Sequence, residues 1–299
     1  MNMRTPGLAV SETAGSPRRW RRRGPLSLLA CVAPMALLIV ASPAAAQPTA
    51  QDQAAVAEDS DSQADAVLRN MSDYLGKMQN LSFDYSSDVE VISQGGQTSL
   101  SGLKLQFSSH GHVMLSRPNK LRATRTASYA DVELVSDGKT FSVLGKGVNA
   151  YAQANAPPTI DDLVHQFRNL TEADFPGADL LMANVYRELN EPIQQGWYIG
   201  VDDVDGFPCD HLAFRTAQVD WQIWVQRGAK PIPRKYVITS KWITGSPQYE
   251  LRISNWDDNP TIAPATYSFK PPAGAKTVSL DVLEGVGDLP APVEIGGRR

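Results

Sequence analysis

The sequence predicts an α+β protein that is mainly β: one large antiparallel sheet with a few helices at its start and middle. Three observations carry this. From residue 81 onward apolar and polar residues alternate with a period of two, as on a half-buried strand. Turn pairs such as Asp137-Gly138, Asp205-Gly206 and Arg227-Gly228 separate these runs at hairpin spacing, which describes a meander and not βαβ units. Helical three- and four-residue periodicity is confined to short stretches near residues 67–78, 160–167 and 177–189.

The chain opens with a targeting segment, residues 1–46. Arg18-Arg19-Trp20-Arg21-Arg22-Arg23 is a basic region, residues 26–40 are apolar, and Ala44-Ala45-Ala46 supplies small residues for a signal peptidase. Cleavage after Ala46 puts Gln47 at the mature N-terminus and the protein in the periplasm. The general and the twin-arginine export routes both stay open. Leu28-Leu29-Ala30-Cys31 is similar to a lipoprotein box, but the apolar run continues past Cys31, so cleavage after Ala46 is the reading taken.

Residues 47–64 are polar and acidic and are expected as a solvated leader. A helix follows on Val67, Leu68, Met71, Tyr74, Leu75 and Met78. Leu81, Phe83, Tyr85, Val89 and Val91 then share one face of a strand, and Gly95-Gly96 turns the chain into a second strand bearing Leu103, Leu105 and Phe107. Gly111, flanked by His110 and His112, reads as another turn. Further strands are expected at residues 113–115, 121–126, 132–135, 141–144, 197–201, 207–214, 219–225, 236–243 and 249–253. Between them, Thr159 can cap a helix with the apolar stripe Ile160, Leu163, Val164 and Phe167, and Asp161 and Asp162 suit its positive end. A sheet this large must curl to bury one face, and the helices lie either against the outside or within the curl as a plug. The domain is expected over residues 65–278, with a flexible tail at 279–299.

Of 299 residues, 42% are hydrophobic and 20% charged, which excludes a fibre and a wholly disordered chain. Six arginines and one acid fall in residues 1–46, so the remainder carries a net charge of −9. Such a surface repels phosphate backbones, and nucleic acid is excluded as a partner. No apolar run of membrane-spanning length follows residue 46. Cys209 is the single cysteine after Cys31, too few for an internal disulfide or a cysteine-built metal site. No catalytic, metal or cofactor constellation stands out. His110 and His112 lack a third ligand, Cys209 with His211 lacks an orienting group, and Asp202-Asp203-Val204-Asp205-Gly206 lacks the terminal glutamate of a calcium loop. Trp221 and Trp224 fall on opposite faces of one strand, with Trp197, Trp242 and Trp256 on others.

Ser116-Arg117-Pro118-Asn119-Lys120-Leu121-Arg122, followed by Leu134-Val135-Ser136-Asp137-Gly138-Lys139-Thr140, resembles the outer-membrane lipoprotein carrier (LolA-like) superfamily. Tyr267-Ser268-Phe269-Lys270-Pro271-Pro272-Ala273-Gly274 is similar to that group's closing strand. Within the group, Ala156-Pro157-Pro158-Thr159-Ile160-Asp161, Gly206-Phe207-Pro208-Cys209-Asp210-His211 and Val219-Asp220-Trp221-Gln222-Ile223-Trp224 resemble a bacterial family of predicted periplasmic proteins without an assigned function. The likeness covers roughly residues 65–275. It implies an incomplete, half-open antiparallel β-barrel with helices covering or plugging the concave face, and an apolar cavity for an acyl chain. By motif match it implies that Arg117 latches a helical lid through hydrogen bonds and that Leu121 adjoins the ligand. The resulting expectation is a monomeric, non-enzymatic periplasmic protein that binds a lipid, acyl chain or lipidated protein. The alternative is an envelope protein–protein interaction or stress-sensing module on the same fold.

Overall fold

The computed structural model describes residues 50–93, 102–171, 177–190 and 193–280. The expected targeting segment, the expected turn at Gly95-Gly96 and all but the first two residues of the expected 279–299 tail lie outside them. Among the described residues twelve strands form one sheet in the order β12-β6-β5-β4-β3-β2-β1-β11-β10-β9-β8-β7, antiparallel throughout except where β12 pairs with β6. Among the described residues its two end strands do not pair with each other, so the barrel is half-open.

Two meanders build it. The first comprises β1 (Asn80–Ile92), β2 (Lys104–Ser116), β3 (Lys120–Ala127), β4 (Asp131–Asp137), β5 (Thr140–Gly145) and β6 (Ala150–Asn155). The second comprises β7 (Gln195–Val204), β8 (Phe207–Arg215), β9 (Val219–Gln226), β10 (Pro233–Ser240) and β11 (Gln248–Asp257). The pairing of β1 with β11 joins them, Tyr85 opposite Ile253. β6 therefore stands near one end of the sheet and β7 at the other. The connection between them must cross the sheet, and it does so as helices: α2 (Ile160–Thr171), a 3-10 turn (Ala178–Leu181) and α3 (Val185–Asn190). With α1 (Ala50–Gly76), they cover the inner face.

Their apolar sides and the inner-facing strand residues form one core. Leu68, Met71 and Leu75 of α1, Ile160 and Leu163 of α2, and Leu180, Met182 and Val185 pack with Leu81, Leu115, Phe141, Leu212, Trp221 and Ile223. Removing this apolar surface from water is the main stabilising term. The helices thus plug the curl. The outer face carries a small second cluster of Val204, Cys209, Trp224 and Val237. Trp221 and Trp224 point to opposite faces, as strand alternation requires.

Four sequence expectations need correction. Gly111 is not a turn but the middle of β2, opposite Tyr85, and residues 113–115 continue the same strand. A Cβ at Gly111 would lie 1.9 Å from the Thr124 carbonyl oxygen and 2.7 Å from the Tyr85 ring, so the glycine permits a close backbone approach. Second, α1 begins at Ala50, making residues 50–64 helical. Ser60 explains part of this: its hydroxyl accepts from the Tyr198 N–H at 2.9 Å and donates to the Tyr198 carbonyl at 3.3 Å, occupying backbone groups of edge strand β7. Third, the expected closing strand at residues 267–274 holds only the end of a 3-10 turn (Pro264–Tyr267), and the pairing falls to β12 (Lys276–Thr277). Fourth, β6 went unforeseen, because alanines alternating with polar residues give little apolar contrast.

Candidate functional site

The turn between β2 and β3 organises the site. Arg117 follows the last residue of β2, its N–H donates to the Gln79 carbonyl at 2.8 Å, and its peptide bond to Pro118 is cis. The next two residues hold α2: the Pro118 carbonyl accepts from the Ile160 N–H at 2.7 Å, and the Asn119 amide donates to the Pro157 carbonyl at 3.0 Å. The helix start is read as its sequence suggests, with the Thr159 hydroxyl accepting from the Asp162 N–H at 3.0 Å.

The half-buried Arg117 side chain reaches inward. Its Nε donates to the Met78 carbonyl at 3.1 Å, and one terminal nitrogen donates to the carbonyls of Leu181 (3.0 Å) and Met182 (3.2 Å). One guanidinium thus joins the α1–β1 connection to the end of the 3-10 turn. Burial draws its pKa below the usual arginine value, and the charge of Asp161 opposes that. Arginine nevertheless stays protonated in proteins. Arg117, Gln79, Pro118, Thr159, Asp161 and Ala183 line a cleft of about 330 Å³. A second cleft, of about 410 Å³, shares Ala183 with the first and is lined also by Ser72, Gly76 and Lys77 of the α1 region and by Asn184 and Tyr186.

Leu121 is not among the residues lining either cleft. It is 4% exposed, sits opposite Leu115 and Ser136, and belongs to the core beneath the helices. The structure therefore brings Arg117 to a cleft and Leu121 to the packed interior. Sequence reasoning missed Asp161 as a site residue, crediting it only to the helix dipole. Its Oδ1 accepts from the Ala183 N–H at 2.9 Å.

The other singled-out residues lie elsewhere. His110 and His112 are on extended β2, where the His112 Nδ1 pairs with Asp84 and the Asp84 carboxylate also accepts from Asn255. His165 is exposed on α2. His211 stacks on Trp224, ring centroids 4.1 Å apart, and its Nε2 contacts the Gln222 side chain at 2.9 Å. Cys209 is fully buried, and burial pushes its thiol up to about 11. Among the described residues no group of three or more histidine, cysteine, aspartate or glutamate side chains is placed to hold a metal ion.

No helix among the described residues is long and apolar enough to cross a membrane. No curated protein matches the sequence. Solved structures similar to this chain include the lipoprotein LppX of Mycobacterium tuberculosis, 14% identical with a TM-score of 0.42 over 68% of this chain and 100% of that one. A LolA-superfamily protein of Nitrosomonas europaea is 9% identical with a TM-score of 0.32, over 69% of this chain and 97% of that one. The Pseudomonas aeruginosa MucA/MucB complex is 13% identical with a TM-score of 0.36, over 65% of this chain and 56% of that one. Residues 64–281 match the family described as predicted periplasmic protein (DUF2092), and the chain belongs to that family.

Proposed function

We propose that this periplasmic protein binds an apolar ligand (a lipid, an acyl chain or a lipidated protein) on the inner face of its half-open barrel, without chemical turnover. In this reading the ligand displaces the 178–190 segment, and Arg117 sets the balance between a closed, empty form and an open, loaded one. The observation that carries it is the Arg117 guanidinium, which donates to three carbonyls from two segments lying over the inner face. Absence of turnover is in keeping with Cys209, the most nucleophilic side-chain type present, being buried with a raised pKa while His211 is engaged with Gln222 and Trp224.

A hydrogen bond from a charged donor contributes roughly 1.5–3 kcal/mol, so losing the guanidinium shifts an open–closed balance by about one to two orders of magnitude. The test is equilibrium binding and release of a fluorescent fatty acid by wild type, Arg117→Leu and Arg117→Lys, with a thermal melt of each. Arg117→Leu is expected to bind the probe about tenfold or more tighter and release it more slowly, with lysine between, because one ammonium cannot reproduce the planar donor fork. A folded Arg117→Leu protein that binds and releases like wild type removes the latch. A wild type and variants that bind no acyl probe remove the ligand reading itself.

A further inference from the structure

The segment from Leu181 to Tyr186 joins a four-residue 3-10 turn to a six-residue helix, and Met182 between them is extended (φ −70°, ψ 158°). Helical pieces this short leave most of their terminal N–H and C=O groups without an internal partner. Side chains from three other elements take them up. Arg117 donates to the carbonyls of Leu181 and Met182, Asp161 accepts from the Ala183 N–H, and the Ser72 hydroxyl accepts from the Tyr186 N–H at 2.8 Å. The Ala183 carbonyl rests against Gly76 of α1. A Cβ at Gly76 would stand 2.6 Å from that oxygen. Gly76 has ordinary helical backbone in the last turn of α1, so its conformation does not call for glycine, whereas the closeness of Ala183 does.

We infer that Gly76 and Asp161 complete, with Arg117, a three-point closure that recognises the backbone of Leu181–Ala183: a donor on its carbonyls, an acceptor on its amide, and a side-chain-free seat beneath it. The inference rests on the reading that this segment is the moving part of the cover, and gives that part its second and third fastenings. Because the three contacts converge on consecutive peptide groups, one displaced peptide weakens all of them. Two consequences follow. A methyl group at position 76 lifts the Ala183 carbonyl and so disengages Arg117 and Asp161, although neither residue is altered. The fastenings also act as a unit, so removing a second one adds little once the first is lost.

Gly76→Ala is a sharp test, since the same change in a helix ordinarily stabilises by up to about 1 kcal/mol. Hydrogen exchange of the 178–190 amides, measured without any ligand, reads the closure directly. Gly76→Ala and Asp161→Ala are each expected to raise exchange there about tenfold or more, as loss of a charge-assisted bond implies, while the β-sheet amides keep their protection. Asp161→Asn, which retains a carbonyl acceptor, is expected to restore most of it. The Gly76→Ala/Arg117→Leu pair is expected to exchange hardly faster than either single variant. If the 178–190 amides of folded Gly76→Ala and Asp161→Ala exchange as in wild type, the closure is wrong. Fully additive effects overturn its action as a unit. The fatty-acid assay reports separately: faster exchange in variants that take up no probe upholds the closure and removes only the ligand reading.

Discussion

α1 and the 178–190 segment cover the same inner face but are fastened differently. The 27-residue α1 satisfies its own backbone along most of its length, and it holds the sheet chiefly through Leu68, Met71 and Leu75, each no more than 1% exposed, with side-chain hydrogen bonds from Ser60 to Tyr198 and from Tyr74 to Asp258 beside them. The shorter segment also buries Leu180, Met182 and Val185, yet its backbone needs partners from Arg117, Asp161 and Ser72. A contact made by apolar side chains is lost only when the core opens. A contact made by a few hydrogen bonds at a cleft can be exchanged for water or for a ligand. In the proposed reading α1 is the fixed part of the plug and the 178–190 segment, though it shares the same core, is the part that moves.

The comparison breaks first at α1. Leu68→Ala removes a fully buried side chain and is expected to cost about 2–5 kcal/mol in urea unfolding. A cost below about 1 kcal/mol, as for a surface site, would make α1 the detachable element instead. Cys209 sharpens the contrast, because it is buried on the outer face, away from the cover, with its thiol near 11. In native protein it is expected to react only when the fold opens. Leu68→Ala is therefore expected to speed thiol labelling at least about tenfold, each 1.4 kcal/mol being a factor of ten, whereas Arg117→Leu leaves it unchanged. Labelling that accelerates equally in both variants would mean that the latch and the core open together. The smallest effect belongs to Ser72→Ala, which deletes one acceptor: about 1 kcal/mol, read as faster exchange at Tyr186 with little change in the urea midpoint.

How much of this was legible in the sequence depended on where the partner group lies. The α2 stripe of Ile160, Leu163 and Val164 and its Thr159 cap are local patterns, and they stand in the structure as read. Strand alternation likewise separated Trp221 from Trp224. Gly111 misled because a glycine between two histidines signals a turn locally, while its actual cause, the Tyr85 ring and the Thr124 carbonyl, comes from neighbouring strands. The polar start of α1 misled for the same reason, since Ser60 is matched to Tyr198 far along the chain. At the site, Arg117 was visible through its motif. Asp161 was visible only as a charge suited to a helix start, and Gly76 and Ser72 gave no signal. Their partners are backbone groups of a distant segment, which no side-chain pattern announces.

The central claim is that the 178–190 segment leaves the inner face when ligand enters. Hydrogen exchange of the Leu180–Tyr186 amides in wild-type protein, with and without a saturating fluorescent fatty acid, tests it most directly. The account predicts that bound probe accelerates exchange at Ala183 and Tyr186, whose N–H groups are released from Asp161 and Ser72, while the β1 and β2 amides stay protected. Probe that binds while those two amides keep or increase their protection would contradict it.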